Sequence, residues 1–311
     1  MTPSDVAGVL SRYFIVGFFV PTFFALSALA FGASSDALPD DLEAYSDGAK
    51  IAIVGGSALL VGLALMGLNY QVMRAFEGYP LMAHASNRAV KPVYDWLVAR
   101  QEAANDELVR VRDDAARPDA DRNDAAWRLG FRYSDRLLPT GFGNVVRAFE
   151  RQSRVRWGLN SISAWPRIDL LLNDQEREIE ANHRGEVGFF LNGCLLGTVV
   201  GLLLLADLLI HQTVPAYWAW AYLIPFGLAY GMYRASIGAA IRWGSVVKAA
   251  IDLHRLELYK LLGLREPVSF TEERDVLAPA VNRFLLYAEP LPDELRVPAD
   301  DNGDEEVDED E

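Results

Sequence analysis

Four long apolar stretches constrain what this chain can fold into: roughly Tyr13–Phe31, Ile51–Tyr70, Val187–Ile210 and Tyr217–Tyr233. They stand as two pairs on either side of a polar segment of about a hundred residues. The first and fourth hold no charged residue, the second no ionisable group before Tyr70 itself, and the third only Asp207. A helix needs about 20 apolar residues to cross a bilayer core, and helices or closed barrels alone satisfy their backbone in lipid. Continuous apolarity without alternation selects helices. The sequence therefore predicts an all-α integral membrane protein, with four transmembrane helices in two pairs and a helical cytoplasmic domain. A mean hydropathy of +0.08 hides this, because charged segments offset the spans.

Charge is as uneven as hydropathy. The net charge is −14, yet residues 289–311 hold twelve acids and one arginine, a net of −11, leaving −3 for the rest. That segment reads as a disordered acidic tail, since it has almost no apolar surface to offset its chain entropy. No segment carries a strong basic excess, so no nucleic-acid partner is expected. The single cysteine, Cys194, lies in the third stretch and allows no intrachain disulfide. Only four of the 29 basic residues are lysine; with abundant alanine, this points to a GC-rich bacterial genome.

The flanks of the spans give an orientation. Arg12, Arg74, Arg88, Arg167, Arg177, Arg184, Arg234, Arg242 and Lys248 lie on one side and Lys50 alone on the other. By the positive-inside rule both termini and the middle segment are cytoplasmic, in a bacterial inner membrane. Residues 1–30 also admit a second reading, a signal peptide cleaved near Ala28-Leu29-Ala30. The expected organisation is then a first transmembrane pair within 1–70, a helical cytoplasmic domain at 71–186, a second pair at 187–233, a cytoplasmic helical arm at 234–288, and the tail.

Small residues recur at every fourth position in the second pair: Gly193, Gly197 and Gly201, then Gly227 and Gly231, continued by Ala235 and Ala239. Such stripes let helix backbones approach closely in lipid. They are expected to face each other, or to form a homo-oligomer interface. Asn192 and Asp207 are polar groups inside the third span, and His211 is placed to pair with Asp207 one turn on. That arrangement fits an interfacial Asp–His pair or a proton or ion site. Pro21 and Pro225 could kink their spans.

Between Gln71 and Glu186 there are 18 basic and 18 acidic residues. Pro92 marks a helix start, and Val93, Trp96 and Leu97 open an apolar face running on to Leu108 and Val111. Arg117-Pro118-Asp119 ends it, and a second helix is expected to carry Trp127, Phe131 and Leu137-Leu138. Thr140 caps the next helix, which Trp157-Gly158 ends. Asn160 or Ser161 caps a short helix that Trp165-Pro166 should interrupt. Two long helices are expected, one running from Asn173 into the third span and one leaving the fourth span as far as Leu262.

The run Leu137-Leu138-Pro139-Thr140-Gly141-Phe142-Gly143-Asn144-Val145-Val146-Arg147, with Trp157-Gly158-Leu159-Asn160 and Trp165-Pro166-Arg167, carries a resemblance. With Phe76-Glu77-Gly78-Tyr79 it resembles a family of uncharacterised multi-pass bacterial membrane proteins, mostly actinobacterial, over roughly Tyr70 to Leu172. Where that pattern has Tyr-Gly, this chain has Trp157-Gly158. The resemblance implies topology and no chemistry. Physically, the backbone amides at Gly143 and Asn144, with Arg147 and Arg167, could hold an anion. Otherwise Thr140, Gly143, Asn144, Arg147, Trp157, Gly158, Trp165, Pro166 and Arg167 simply fix two helix turns and a docking corner.

No phosphate loop, H-E-x-x-H or G-x-S-x-G motif is present, and the four histidines stand apart from metal-ligand spacing. No catalytic residue, metal or cofactor is expected, and the protein is expected not to be an enzyme. The sequence favours an interaction or assembly module, with the bilayer, further copies of itself and a cytoplasmic protein as partners. A homo-oligomeric channel or small transporter is the alternative, and a membrane enzyme stands third.

Overall fold

The computed structural model describes residues 12–32, 46–131, 137–211 and 221–297, without the side chains of 31, 32 and 211. Among these every regular element is helical, apart from one antiparallel bridge between Leu264 and Arg296. In chain order α1 comprises Arg12–Phe14, a π turn Ile15–Phe19 and Val20–Gly32. Then come α2 (Asp47–Gly67), α3 (Asn69–Glu77), α4 (Tyr79–Ala83), α5 (Lys91–Asp113), α6 (Asp119–Leu129), α7 (Gly141–Trp157) and α8 (Ser161–Leu171). The long helices are α9 (Asp174–His211) and α10 (Ile224–Leu261), followed by α11, made of Phe270–Glu272, a π turn Glu273–Leu277 and Ala278–Tyr287. The chain divides into two compact units, Met1–Phe149 with Asp174–Val247, and Glu150–Asn173 with Lys248–Glu311.

Among the described residues three helices are long and apolar enough to cross a membrane: Arg12–Ala30, Asp47–Gly67 and Asp174–Ile210. The second ends at Gly67, before the predicted Tyr70, where Leu68 departs from helical backbone angles (φ −94, ψ 4) and α3 begins. Of the fourth apolar stretch, Tyr217–Trp220 lies outside the described residues; the remainder enters α10 from Ile224. The turn predicted at 211–216, beyond His211, and most of the loop at 32–50 also fall outside them, as does the tail from Pro298 onward.

The α1–α2–α9 packing shows why the spans meet as they do. Phe14, Phe18 and Leu65 are buried together, with Leu195 and Leu196 of α9 against them. Gly17 lies so close to α9 that a Cβ there would reach the Gly185 carbonyl at 3.3 Å, and Gly188 also faces Gly17. A π turn departs from the regular ladder, and lipid offers no water to make good a lost bond. The Gly17 carbonyl in that turn accepts from Nδ2 of the fully buried Asn192 at 2.8 Å, and Thr22 Oγ1 donates to the Phe18 carbonyl at 2.7 Å.

The predicted glycine ladder of α9 is occupied within the chain. Gly193 lies against Met232, Gly197 against Ala229 and the Pro225 carbonyl, and Gly201 against the Phe226 ring. Gly227 and Gly231 do not meet it, because a Cβ at either would find nothing within 4 Å. Expecting the two stripes to face each other therefore fails: α10 turns its bulkier residues, not its glycines, toward α9.

In the first unit α5 and α6 form a helical hairpin. Pro92 sits in the first turn of α5, and the acids Asp119 and Asp121 occupy the first turn of α6, where the helix dipole favours them. Arg122 Nε closes the turn by donating to the Arg112 carbonyl at 3.1 Å. The expected extension of α6 to Leu137-Leu138 is not realised: α6 stops at Leu129, and Leu137 and Leu138 form the extended approach to α7.

In the second unit α8 runs through Trp165-Pro166 without a break. Pro166 removes the backbone bond to the Ile162 carbonyl, and α8 continues past it; the Arg167 side chain donates to the neighbouring Ser163 carbonyl at 2.9 Å. The start of the acidic segment is also ordered. Leu291 and Leu295 are buried, Arg265 N donates to the Leu295 carbonyl at 2.9 Å, and Val297 N to that of Gly263 at 3.0 Å. Two leucines suffice to anchor residues whose charge made them read as tail.

Candidate functional site

The motif residues assemble into two corners, one in each unit. In the first, the α7 start is almost wholly enclosed, with Phe142, Gly143, Asn144, Val145 and Val146 all buried. The amides at Gly141, Gly143 and Asn144 each have a partner. The Tyr233 hydroxyl accepts from Gly141 N at 3.1 Å. Thr140 Oγ1 accepts from Gly143 N at 3.1 Å, and the Thr140 carbonyl from Asn144 N. Thr140 is thus the cap the sequence predicted, and the anion cradle is not available, because the amides that would form it are already bonded.

Asn144 faces the other way. Its Oδ1 accepts from Leu138 N at 2.7 Å and its Nδ2 donates to the Leu138 carbonyl at 3.0 Å. A buried side-chain amide can mimic a strand partner in this way, and here it fixes the approach to the helix. Phe76-Glu77-Gly78-Tyr79 docks on this approach. Gly78 takes φ +90, with Pro139 Cγ only 2.5 Å from where a Cβ would be. Gly143 leaves no room for one either, since it would fall 2.3 Å from the Glu77 carbonyl. Tyr79 lies under the Arg74 guanidinium at 3.4 Å and accepts from Arg147 at 3.5 Å, while the Phe76 ring stacks on Tyr233 at 6.4 Å. The sequence showed both motifs but not that they meet.

Beside this corner a cavity of about 790 Å³ opens between the hairpin and α10. Leu97, Leu108, Trp127, Phe131, Ile237 and Ile241 supply its apolar wall, and Arg100, Arg128 and Arg234 its charge. Its one acid, Glu107, is 3.0 Å from Arg110. Arg128 pairs with Asp124 at 2.8 Å and Arg100 lies over Trp96; Arg234 has no ion-pair partner among the described residues. Tyr230, Tyr233 and Arg234 were not read as a site from the sequence. The available signal was two tyrosines and an arginine at the inner end of an apolar stretch.

The second corner is built from charge. Trp157 Nε1 donates to Asp252 at 2.5 Å, and Arg156 donates to the same carboxylate at 2.9 Å. Arg255 lies over the Trp157 ring at 3.5 Å and donates to Glu273 at 2.8 Å, both side chains being largely buried. Gly158 takes φ +75 with the Arg274 carbonyl 2.2 Å from a would-be Cβ. Asn282 clasps the turn, donating to the Gly158 carbonyl and accepting from Asn160 N, both at 2.8 Å. Asn160 in turn caps α8 through the Ile162 and Ser163 amides. Burial first, and the Glu273 charge second, push the Tyr259 hydroxyl above its ordinary pKa.

Of the intramembrane polar residues, Asn192 is used in packing and Asp207 is nearly buried; the side chain of His211 lies outside the described residues, and with it the Asp207–His211 pair. Trp165 is half-buried and Pro166 exposed on α8. Among the described residues no group of His, Cys, Asp and Glu is placed to hold a metal ion. No protein-family model, curated protein or solved structure matches this chain.

Proposed function

We propose that the protein is a non-enzymatic multi-pass membrane protein of a bacterial inner membrane. In this reading α10 begins in the bilayer as a fourth span, both termini are cytoplasmic, and the second unit is an interaction or assembly module. The membership suggested by the Leu-Pro-Thr, Trp-Gly and Trp-Pro-Arg motifs fits it. One observation carries it: α8 presents Ile162, Pro166 and Leu170 at four-residue spacing, all exposed, with Ile162 at 66% and Leu170 at 76%. An apolar stripe left to solvent on a small unit marks a surface that something covers. The polar groups around it, by contrast, serve the fold.

The test is site-specific photocrosslinking from Ile162 and Leu170 in native membranes. Crosslinks to a second copy or to one defined protein, lost in Leu170→Asp, are the expected result. Efficient incorporation with no adduct from either position would overturn the reading. A homo-oligomeric channel is the second reading, favoured by the open space at Gly227 and Gly231; it predicts ion flux from reconstituted protein that Asp207→Asn alters.

A further inference from the structure

The cavity beside the first corner combines two properties that rarely serve packing alone. Its lining is apolar and aromatic through Trp127, Phe131 and Ile237, and cationic through Arg100, Arg128 and Arg234. The one lining acid, Glu107, is paired with Arg110, and Arg128 is paired with Asp124, which leaves Arg100 and Arg234 as lining guanidiniums without an ion pair among the described residues. Arg234 immediately follows Tyr233, where the fourth apolar stretch ends, so with α10 as a span the mouth lies at headgroup depth. Arginine binds a phosphate by paired N–H donors, and basic pockets at the cytoplasmic ends of spans take anionic headgroups. Tyr230 and Tyr233 belong to the same level, since tyrosine favours the interface.

From this we propose that the cavity binds one anionic phospholipid from the surrounding bilayer. Its phosphate lies between Arg234 and Arg100, and an acyl chain runs along Trp127, Phe131 and Ile237. Bound there, the lipid fills the space between the α5–α6 hairpin and α10, so this wall of the unit is complete only in an anionic membrane. The inference rests on α10 crossing the bilayer but is independent of any protein partner.

Native mass spectrometry of the full chain, released from nanodiscs containing phosphatidylglycerol and phosphatidylcholine, tests it. One phosphatidylglycerol per chain should persist under activation that strips phosphatidylcholine. Arg100→Gln with Arg234→Gln should weaken retention roughly thirtyfold, at about one surface-arginine contribution each. Ala104→Trp, which fills the cavity from α5 without touching charge, should abolish it while circular dichroism stays unchanged. Equal retention of both lipids, or retention unaffected by either variant, overturns the proposal. So does displacement by millimolar glycerol phosphate, which would make the ligand a soluble phosphate. Resistance of the chain to alkaline carbonate extraction, measured in parallel, tells failure of lipid binding from failure of the membrane reading.

Discussion

The two motif corners solve one mechanical problem, holding a helix end against a turn, with opposite chemistry. The α7 start is fixed by neutral partners, namely the Tyr233 hydroxyl, Thr140 and the Asn144 amide. The α7 end is fixed by charge, through Asp252 on the Trp157 indole and Arg255 between that ring and Glu273. Both rely on a glycine whose missing side chain lets another backbone in, Gly143 at Glu77 and Gly158 at Arg274. Neutral hydrogen bonds close the α7 start, whereas ion pairs close the α7 end and there also enforce geometry. Buried ion pairs add little net stability over apolar replacements but are costly to break singly.

The largest effect should therefore come from splitting the charged pair. Arg255→Met leaves Glu273 buried without its partner and should cost about 3–5 kcal/mol. Arg255→Met with Glu273→Leu should recover most of that. Hydrogen exchange by mass spectrometry reads it: protection should fall across 150–173 and 248–297 in the single variant, while α1, α2 and α9 stay protected. Global loss of protection, or a double variant as damaged as the single, would show that the pair does not act locally.

Next come the glycines. Gly158→Ala adds strain at positive φ to a backbone clash, and should cost about 2–5 kcal/mol, against about 1–3 for Gly143→Ala, where only the clash operates. Gly227→Ala, in open space, should lie within about 0.5 kcal/mol of wild type. Thermal unfolding followed by tryptophan fluorescence gives the ranking. Gly143→Ala proving as mild as Gly227→Ala would mean that the Glu77 segment yields freely, and the first corner would lose its claim to rigidity.

How much of this was readable beforehand depends on the range of the interaction. Helix starts and stops were legible at Pro92, Thr140, Trp157-Gly158 and Asn160, because caps and positive-φ glycines act within a few residues. Three of the apolar stretches likewise returned as helices able to span, since length and apolarity suffice. What the sequence did not reveal needed partners far along the chain. Gly17 and Gly185 approach each other over 168 positions of sequence, and Asn192 meets the Gly17 carbonyl, within a π turn of α1, over 175. Tyr233 closing the Gly141 amide is a contact over 92 positions, which no local pattern announces. The Trp165-Pro166 break did not occur because one proline removes a single ladder bond, to the Ile162 carbonyl, and α8 runs on through Leu171.

The smallest expected effect contrasts the two corner tyrosines. Tyr233→Phe strips the acceptor from the Gly141 amide and should cost about 1–3 kcal/mol, seen in thermal unfolding. Tyr259→Phe should change neutral-pH stability by less than about 1 kcal/mol, yet alter its alkaline course. The Tyr259 pKa is raised above 10.0 in the folded state by burial and by Glu273, so folding holds that proton more tightly than the unfolded chain does. Stability from this source is fully present below the ordinary tyrosine value and is lost as pH rises through the folded one. Between those limits the wild-type slope should exceed that of Tyr259→Phe by up to about 1.4 kcal/mol per pH unit. Parallel slopes for the two proteins above pH 10 would mean that the phenolate forms without disturbing the charged corner, and that Glu273 is not close enough to oppose it.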